Sequence, residues 1–276
     1  MLPYVILPVH AALQEWVESI FIMNVDFAGS SLPSVFTYPW SVTTHIYFTI
    51  GGDPVLVKSP SRTEFIKYAT NFIIGPRLSN DVVDLGRNRH VAAISFRPGG
   101  LYRLLGIPLN ELTEGLDLSL VMAKHDRELS EQLVNAVGYQ EVFKILENFL
   151  LQRAAALKPV TPYDLTINEL IEKNGNTPIK QVAGQAGLSI RQFERRSLTH
   201  LGVSPKLFSR ITRFANACMF KEANPQKTWL EITYEYGYAD QMHLIDDFKA
   251  FAGGTPTELE AQLSMKILTG VECRIM

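Results

Sequence analysis

Arg191, Gln192, Arg195 and Arg196 lie close together at helical spacing, and their side chains define the clearest chemistry in this chain. A guanidinium binds phosphate oxygens as a fixed charge or pairs with the edge of guanine, and a glutamine amide pairs with adenine. On an isolated helix the same four residues form a solvated face. Their surroundings decide between the two. Seven basic residues (Lys180, Arg191, Arg195, Arg196, Lys206, Arg210 and Arg213) fall within residues 178–213, against Glu194 as the single acid, a net of +6. The whole chain has a net charge of −2, and residues 222–260 hold eight acids against Lys227 and Lys249. Phosphate binding needs a local basic face and not a basic protein.

The flanking residues specify two short helices joined by a tight turn. Thr177 is placed to cap the first helix, and Pro178 suits its first turn. Ile179, Val182, Ala183 and Ala186 share one face at helical spacing. Gly187 supplies the left-handed conformation that ends a helix, and Ser189 caps the next one. A small residue at Ala183, a glycine four later and a basic second helix make a helix-turn-helix pattern over residues 178–201. Arg191 and Gln192, near the helix start, are assigned to base edges. Ser189 and Arg196 complete the expected DNA-binding segment, and Arg195, Lys206, Arg210 and Arg213 are assigned to phosphates or to structural ion pairs.

The pattern returns over residues 228–252. Ile232, Gly237 and Pro256 echo Val182, Gly187 and Pro205. Gln241, Met242 and Ile245 are candidate groove contacts there, and His243 is either a phosphate donor or a structural residue. A long helix over residues 205–223, opened by Ser204 and Pro205, joins the two units. It would space their reading helices by about one DNA turn, roughly 34 Å.

Upstream, the chain reads as a different class. Residues 1–97 hold short β-branched and aromatic runs at Tyr4–Val9, Ser34–Phe36, His45–Ile50, Pro54–Lys58, Phe72–Ile74 and Val91–Phe96, punctuated by turns such as Gly51-Gly52-Asp53-Pro54. That spacing predicts a barrel or sandwich. A helix is expected over Ala11–Ile20, and further helices over Leu101–Leu105, Asn110–Gly115, Arg127–Val137 and Glu141–Ala156. The last carries Val142, Phe143, Leu146, Phe149 and Leu150 on one stripe that covers the barrel or pairs with a second copy. Lys158-Pro159-Val160-Thr161-Pro162 reads as a stiff linker. The fold class expected is α+β: a β-rich, barrel or cupin-like domain over residues 1–157, then an all-α domain of seven helices over residues 163–276, the last helix spanning Pro256–Leu268.

Trp40, His45, Tyr47, Arg77 and Arg97 could line an effector pocket in the β-rich part; the alternative is core aromatics and surface ion pairs. The six histidines lack metal-ligand spacing, so no metal is expected. No nucleophile elbow, phosphate loop or Cys/His pair appears, so neither a catalytic residue nor a cofactor is expected. Two cysteines, Cys218 and Cys273, form no close pair and fit a reducing cytoplasm. No apolar run is long enough to span a bilayer, and the N-terminus reads as a strand and not a signal peptide.

Residues 163–265 resemble the AraC/XylS family of bacterial transcription regulators. The resemblance rests on Ile179, Val182, Ala183, Gly187, Ser189, Arg195, Gly202, Ser204-Pro205, Arg213 and Ala217. In the second half it rests on Ile232, Gly237-Tyr238, Asp240-Gln241, His243, Phe248-Lys249 and Thr255-Pro256. Residues 97–106, Arg-Pro-Gly-Gly-Leu-Tyr-Arg-Leu-Leu-Gly, also look like the junction in a subgroup with a poorly characterised N-terminal domain. The resemblance implies both helix-turn-helix units in one monomer, an N-terminal sensing or dimerising domain, and control of promoters. The chain departs from it at Asp246, where a polar or arginine contact is usual, at Ser197, where a phenylalanine is commonly buried, and at Leu198, commonly basic. Phe193, in place of the usual leucine, would refill part of the space left by Ser197.

The reading is therefore a sequence-specific DNA-binding regulator whose N-terminal domain senses a small molecule. Its expected partners are double-stranded DNA, a small-molecule effector, RNA polymerase and a second copy of the chain, with no membrane, in the cytoplasm at the nucleoid. Two alternatives stand beside it: a cupin-like enzyme with an accessory helical domain, and a degenerate regulator acting through protein partners.

Overall fold

A computed structural model describes residues 4–30, 32–38, 40–112 and 114–258. The N-terminal part is built from β1 (Tyr4–Leu7), β2 (Val17–Asp26), β3 (Val35–Tyr38), β4 (Thr44–Gly52), β5 (Leu56–Lys58), β6 (Ile66–Lys67), β7 (Asn71–Ile74), β8 (Asp81–Asp84) and β9 (Asn88–Phe96). Then come α1 (Gly100–Leu105), β10 (Leu116–Asp117), α2 (Ser119–Asn135) and α3 (Gly138–Ala154). A six-stranded sheet has the order β1-β2-β9-β4-β7-β10, and a four-stranded sheet has β3-β8-β5-β6. Every recorded strand pairing is antiparallel.

Strand alternation gives the large sheet two different faces. Ile46 and Phe48 of β4 and Ala92, Ile94 and Phe96 of β9 are buried in one core. Val142, Leu146, Phe149 and Leu150 of α3 belong to that same core. The apolar stripe of α3 thus covers its own sheet. The opposite face of the large sheet, with His45 and Tyr47 on β4 and every second residue of β9 from Arg89 to Ser95, lines a cavity shared with the small sheet.

Two expected helices are corrected. Residues 11–20 are not a helix: Ala11–Leu13 is one 3-10 turn, and β2 begins at Val17. Leu13, Trp16, Val17 and Ile20 are indeed buried. Their helix-like spacing comes from a turn running into a strand, which wins because β2 pairs with both β1 and β9. The helix expected over Asn110–Gly115 is a 3-10 turn at Leu109–Glu111. Strands β2, β6, β8 and β10 were not expected, and α2 begins at Ser119, well before Arg127.

From Pro162 the described chain is helical: α4 (Pro162–Glu172), α5 (Ile179–Gln185), α6 (Ile190–Leu201), α7 (Pro205–Ala223), α8 (Trp229–Glu235) and α9 (Gln241–Ala252). These helices share one core that includes Tyr163, Val182, Phe193, Phe208, Ile232, Leu244 and Phe248. Trp40 and Val42, from the segment between β3 and β4, also pack into it. The helix expected over Pro256–Leu268 lies outside the described residues from Leu259 onward, as does Cys273.

Candidate DNA-binding face and ligand cavity

Local chemistry builds the two units alike. Gly187 and Gly237 have φ of 68° and 71°, so each α5–α6 or α8–α9 turn passes through the left-handed region that favours glycine. The following N–H reaches back in each case, from Leu188 to the Ala183 carbonyl and from Tyr238 to the Thr233 carbonyl, both at 2.9 Å. Ala183 and Thr233 are buried. The caps differ. Ser189 follows its glycine by two residues and Asp240 by three, so the second turn is one residue longer.

On α6, Arg191, Gln192 and Arg195 are exposed and Arg196 is half-buried. Ser189 and Gln192 form a capping box: the Gln192 carbonyl oxygen accepts from both the N–H and the hydroxyl of Ser189, each at 2.9 Å. That occupies the acceptor half of the amide. The bidentate adenine contact expected of Gln192 therefore needs the cap to open, whereas among the described residues no ion pair engages Arg191, Arg195 or Arg196. Lys206 at the start of α7 is exposed.

Arg210 and Arg213 are used inside the fold. Arg210 donates from Nε to Asp247 at 3.2 Å, and Asp247 also accepts from the Tyr238 hydroxyl at 3.2 Å. Arg213 donates to the Gly175 carbonyl at 3.3 Å and lies over the Tyr238 ring. Of the two roles kept open for them, the ion pair holds for Arg210, and Arg213 is tied to backbone. Ser197 is buried and donates to the Val203 carbonyl at 2.8 Å, while Phe193 is fully buried beside Tyr163. The hydroxyl at 197 is therefore satisfied, and an aromatic ring is supplied one turn earlier.

The α9 face is different in charge. Gln241, Met242 and His243 are exposed, Ile245 is half-buried and Asp246 is exposed. His243 is engaged at the cap: its N–H donates to Asp240 at 2.9 Å, and its Nδ1 lies 3.1 Å from the same oxygen. No cation of α9 precedes Lys249.

The cavity between the two sheets has a volume of ≈ 700 Å³, in the range of small-molecule sites. His45, Tyr47, Arg77 and Arg97, four of the five residues considered for a pocket wall, line it. Trp40 does not: its ring lies 5.3 Å from that of Phe251, at the end of α9. The His45 ring is held by Thr43 at 3.0 Å and Ser95 at 3.1 Å. Burial, with the Arg77 charge adding to it, lowers its pKa to about 4, so the ring is neutral at pH 7. Arg77 pairs with Asp81 and donates to the Tyr68 hydroxyl at 3.1 Å.

Arg89 was missed. It is 2% exposed, and it lines the same cavity from β9. The signal was available: Arg89, Val91, Ala93, Ser95 and Arg97 alternate along one strand and its end, so Arg89 shares a face with the Arg97 that was chosen.

The helical part rests on the β-rich part at several points. The rings of Tyr102 (α1) and His200 (α6) stack at 4.0 Å. A side chain on Gly202 would meet the Pro76 ring at 2.7 Å, and one on Gly253 would meet the Asn80 amide at 3.1 Å. Trp40 donates its backbone N–H to the Phe251 carbonyl at 3.1 Å, and Ser41 pairs with Arg77.

Tandem helix-turn-helix units on one core, here joined to a β-rich part with a ligand-sized cavity, are the architecture of a DNA-binding transcription regulator. Residues 182–262 match the family model described as a helix-turn-helix domain, and residues 6–116 match a domain of unknown function (DUF6597). No curated protein sequence matches this chain. Among solved structures, an apo form of ToxT from Vibrio cholerae is 12% identical with a TM-score of 0.48, over 94% of this chain and 99% of that one. ToxT bound to (E)-4-(8-methylnaphthalen-1-yl)but-3-enoic acid is 12% identical with a TM-score of 0.49, over 86% and 96%. Wild-type ToxT bound to an unsaturated fatty acid is 14% identical with a TM-score of 0.45, over 87% and 94%. Among the described residues, no helix is long and apolar enough to cross a membrane.

Proposed function

We propose that this regulator grips its operator mainly through the first helix-turn-helix unit, and that a small molecule in the inter-sheet cavity adjusts the grip. Arg191 reads a base edge, Arg195 and Lys206 hold phosphates, and the acidic α9 adds little attraction. The observation that carries the reading is the exposure of Arg191 and Arg195 on a capped helix, where no carboxylate among the described residues forms an ion pair with either. The cavity reaches the same helices through residues 76–80. Arg77 lines the cavity, and its neighbours Pro76 and Asn80 lie against Gly202 and Gly253, just past the ends of α6 and α9. A ligand that shifts Arg77 therefore presses on both reading helices, a bias between two arrangements and not a new fold.

The test is fluorescence anisotropy on the DNA upstream of the protein's own coding region, at rising salt. Affinity should fall steeply with salt, and Arg195→Ala should lower the log–log slope by about one. Arg191→Ala should cost about 1–3 kcal/mol and relax sequence preference at one position. Salt-independent binding, or wild-type affinity in both variants, would remove α6 from the DNA.

A further inference from the structure

Arg89 poses a problem of charge that the fold does not solve. Its guanidinium donates to the Asp53 carbonyl at 3.0 Å and to the Thr49 hydroxyl at 3.0 Å, both neutral acceptors. The carboxylate of Asp53 is committed elsewhere, accepting the backbone N–H groups of Arg87 at 2.6 Å and Asn88 at 3.1 Å. Among the described residues, no carboxylate is hydrogen-bonded to Arg89. A buried cation without a counter-charge is costly, and burial pulls this guanidinium down to about 10, with the Tyr47 phenol working weakly the other way.

The balance of the whole cavity agrees. Arg77, Arg89 and Arg97 stand on its wall with Glu18, and Asp81 pairs with Arg77. Three cations against two acids leave one positive charge, and the neutral His45 does not change the sum. The rest of the wall is largely apolar, with aromatic rings from both sheets, among them Phe36, Tyr47 and Phe72. The Tyr47 and Phe72 rings stack at 5.0 Å.

We infer that the cavity takes an amphipathic monoanion, an apolar or aromatic body carrying one carboxylate-like head, with Arg89 as its anchor. The two neutral acceptors fix the plane of the guanidinium without spending its charge, so the ligand's head supplies the missing counter-charge. Arg77 already has Asp81 and orients the cavity wall. This inference rests on the reading of the cavity as the effector site and specifies its ligand.

The experiment uses the full chain and three probes of one shape: 4-phenylbutanoate, 4-phenylbutan-1-ol and 4-phenylbutan-1-amine, followed by titration calorimetry at pH 7.5. The acid should bind about tenfold or more tighter than the alcohol, and the amine weakest. Arg89→Met should bring acid and alcohol to equal affinity, and Arg89→Lys should keep part of the preference. Equal binding of acid and alcohol to the wild type, no binding of any probe, or a preference that survives in Arg89→Met overturns the assignment. The wild-type ratio decides even where a variant fails to fold. The sensing reading fails separately: an acid that binds with the expected preference yet leaves DNA affinity unchanged sinks it and leaves the anion site standing.

Discussion

His200 and Phe251 hold the same place in the two repeats, 251 − 200 = 51 residues apart, and each rests on an aromatic ring of the β-rich part. Tyr102 stacks on His200 at 4.0 Å, and Trp40 meets Phe251 at 5.3 Å. The same offset relates Gly202 to Gly253, which lie against Pro76 and Asn80. The two reading helices are thus held at matching points, at the ends farthest from their caps. What holds them is α1 through Tyr102, the segment that carries Arg77, and the segment from Trp40 to Val42.

This clasp should carry the effector response. Trp40→Ala removes a ring contact of about 0.5–1.5 kcal/mol and keeps the backbone bond to Phe251. DNA affinity without ligand should change little, because α6 keeps its caps and its core. The change in DNA affinity caused by a saturating cavity ligand should shrink several-fold, within the range typical of a 1–3 kcal/mol coupling. Anisotropy titrations with and without ligand check this. A response of wild-type size in Trp40→Ala would mean that the coupling runs through Tyr102 and His200.

Gly202 and Gly187 separate docking from local conformation. Both have positive φ, 74° and 68°. Alanine at either pays about 1–2 kcal/mol for the left-handed backbone. At Gly187 a side chain would meet nothing within 4 Å, whereas at Gly202 it meets the Pro76 ring at 2.7 Å and the Leu109 carbonyl at 3.1 Å. Gly202→Ala should therefore destabilise clearly more than Gly187→Ala in urea denaturation. It should also loosen α6 from α1, seen as faster amide exchange around residues 198–203. Equal losses would show that the contact with Pro76 has no energetic weight.

The helical half was legible in the sequence because its signals are local. Ser189, Gly187, Ser204 and Pro205 act within one turn of themselves, so these caps and the turn appear where their residues predict, whereas the cap expected from Thr177 does not form: α5 starts after Pro178 with no side-chain cap. The β-rich half depends on pairing between distant residues. Leu13, Trp16, Val17 and Ile20 show a helical period, but Val17 and Ile20 are claimed by Phe96 and Ile94 of β9, far along the chain. The same limit hid Arg89 and misplaced Trp40. The importance of Arg89 comes from a carbonyl at Asp53 and a hydroxyl at Thr49 brought in by β4, and Trp40 was drawn out of the cavity by Phe251, more than two hundred residues away. For Arg210 and Arg213 the sequence left phosphate contact and structural ion pair open, because Asp247 and the Gly175 carbonyl reach them only through the fold.

Acid should destabilise the β-rich part through His45. Its pKa is depressed from 6.5 to about 4 in the folded chain, by burial first and by Arg77 second. A depressed folded value means that the unfolded chain binds the proton first. The contribution is fully present above pH 6.5 and is lost as pH falls from there toward 4. The full shift corresponds to about 3 kcal/mol as an upper figure, and less because the cavity admits water. His45→Gln should flatten the stability profile over that window in urea titrations, with little change above pH 7. An unchanged slope between pH 6.5 and 4 would place the titration elsewhere.

Asp246 and Asp247 are adjacent acids with opposite fates, and they set the last prediction. Asp247 is 4% exposed and receives both Arg210 and the Tyr238 hydroxyl. Asp247→Ala strands a hydroxyl and a guanidinium and should cost about 1–3 kcal/mol of stability. Asp246 is exposed on the face of α9 that corresponds to Arg195 on α6, since 246 − 195 = 51. A carboxylate there repels phosphate, so Asp246→Arg exchanges repulsion for attraction at one point. It should leave the melting curve unchanged, tighten DNA binding and make the salt slope steeper. If affinity and slope both stay at wild-type values while Asp247→Ala unfolds as expected, α9 lies away from the duplex, and the second unit serves the fold and the clasp alone.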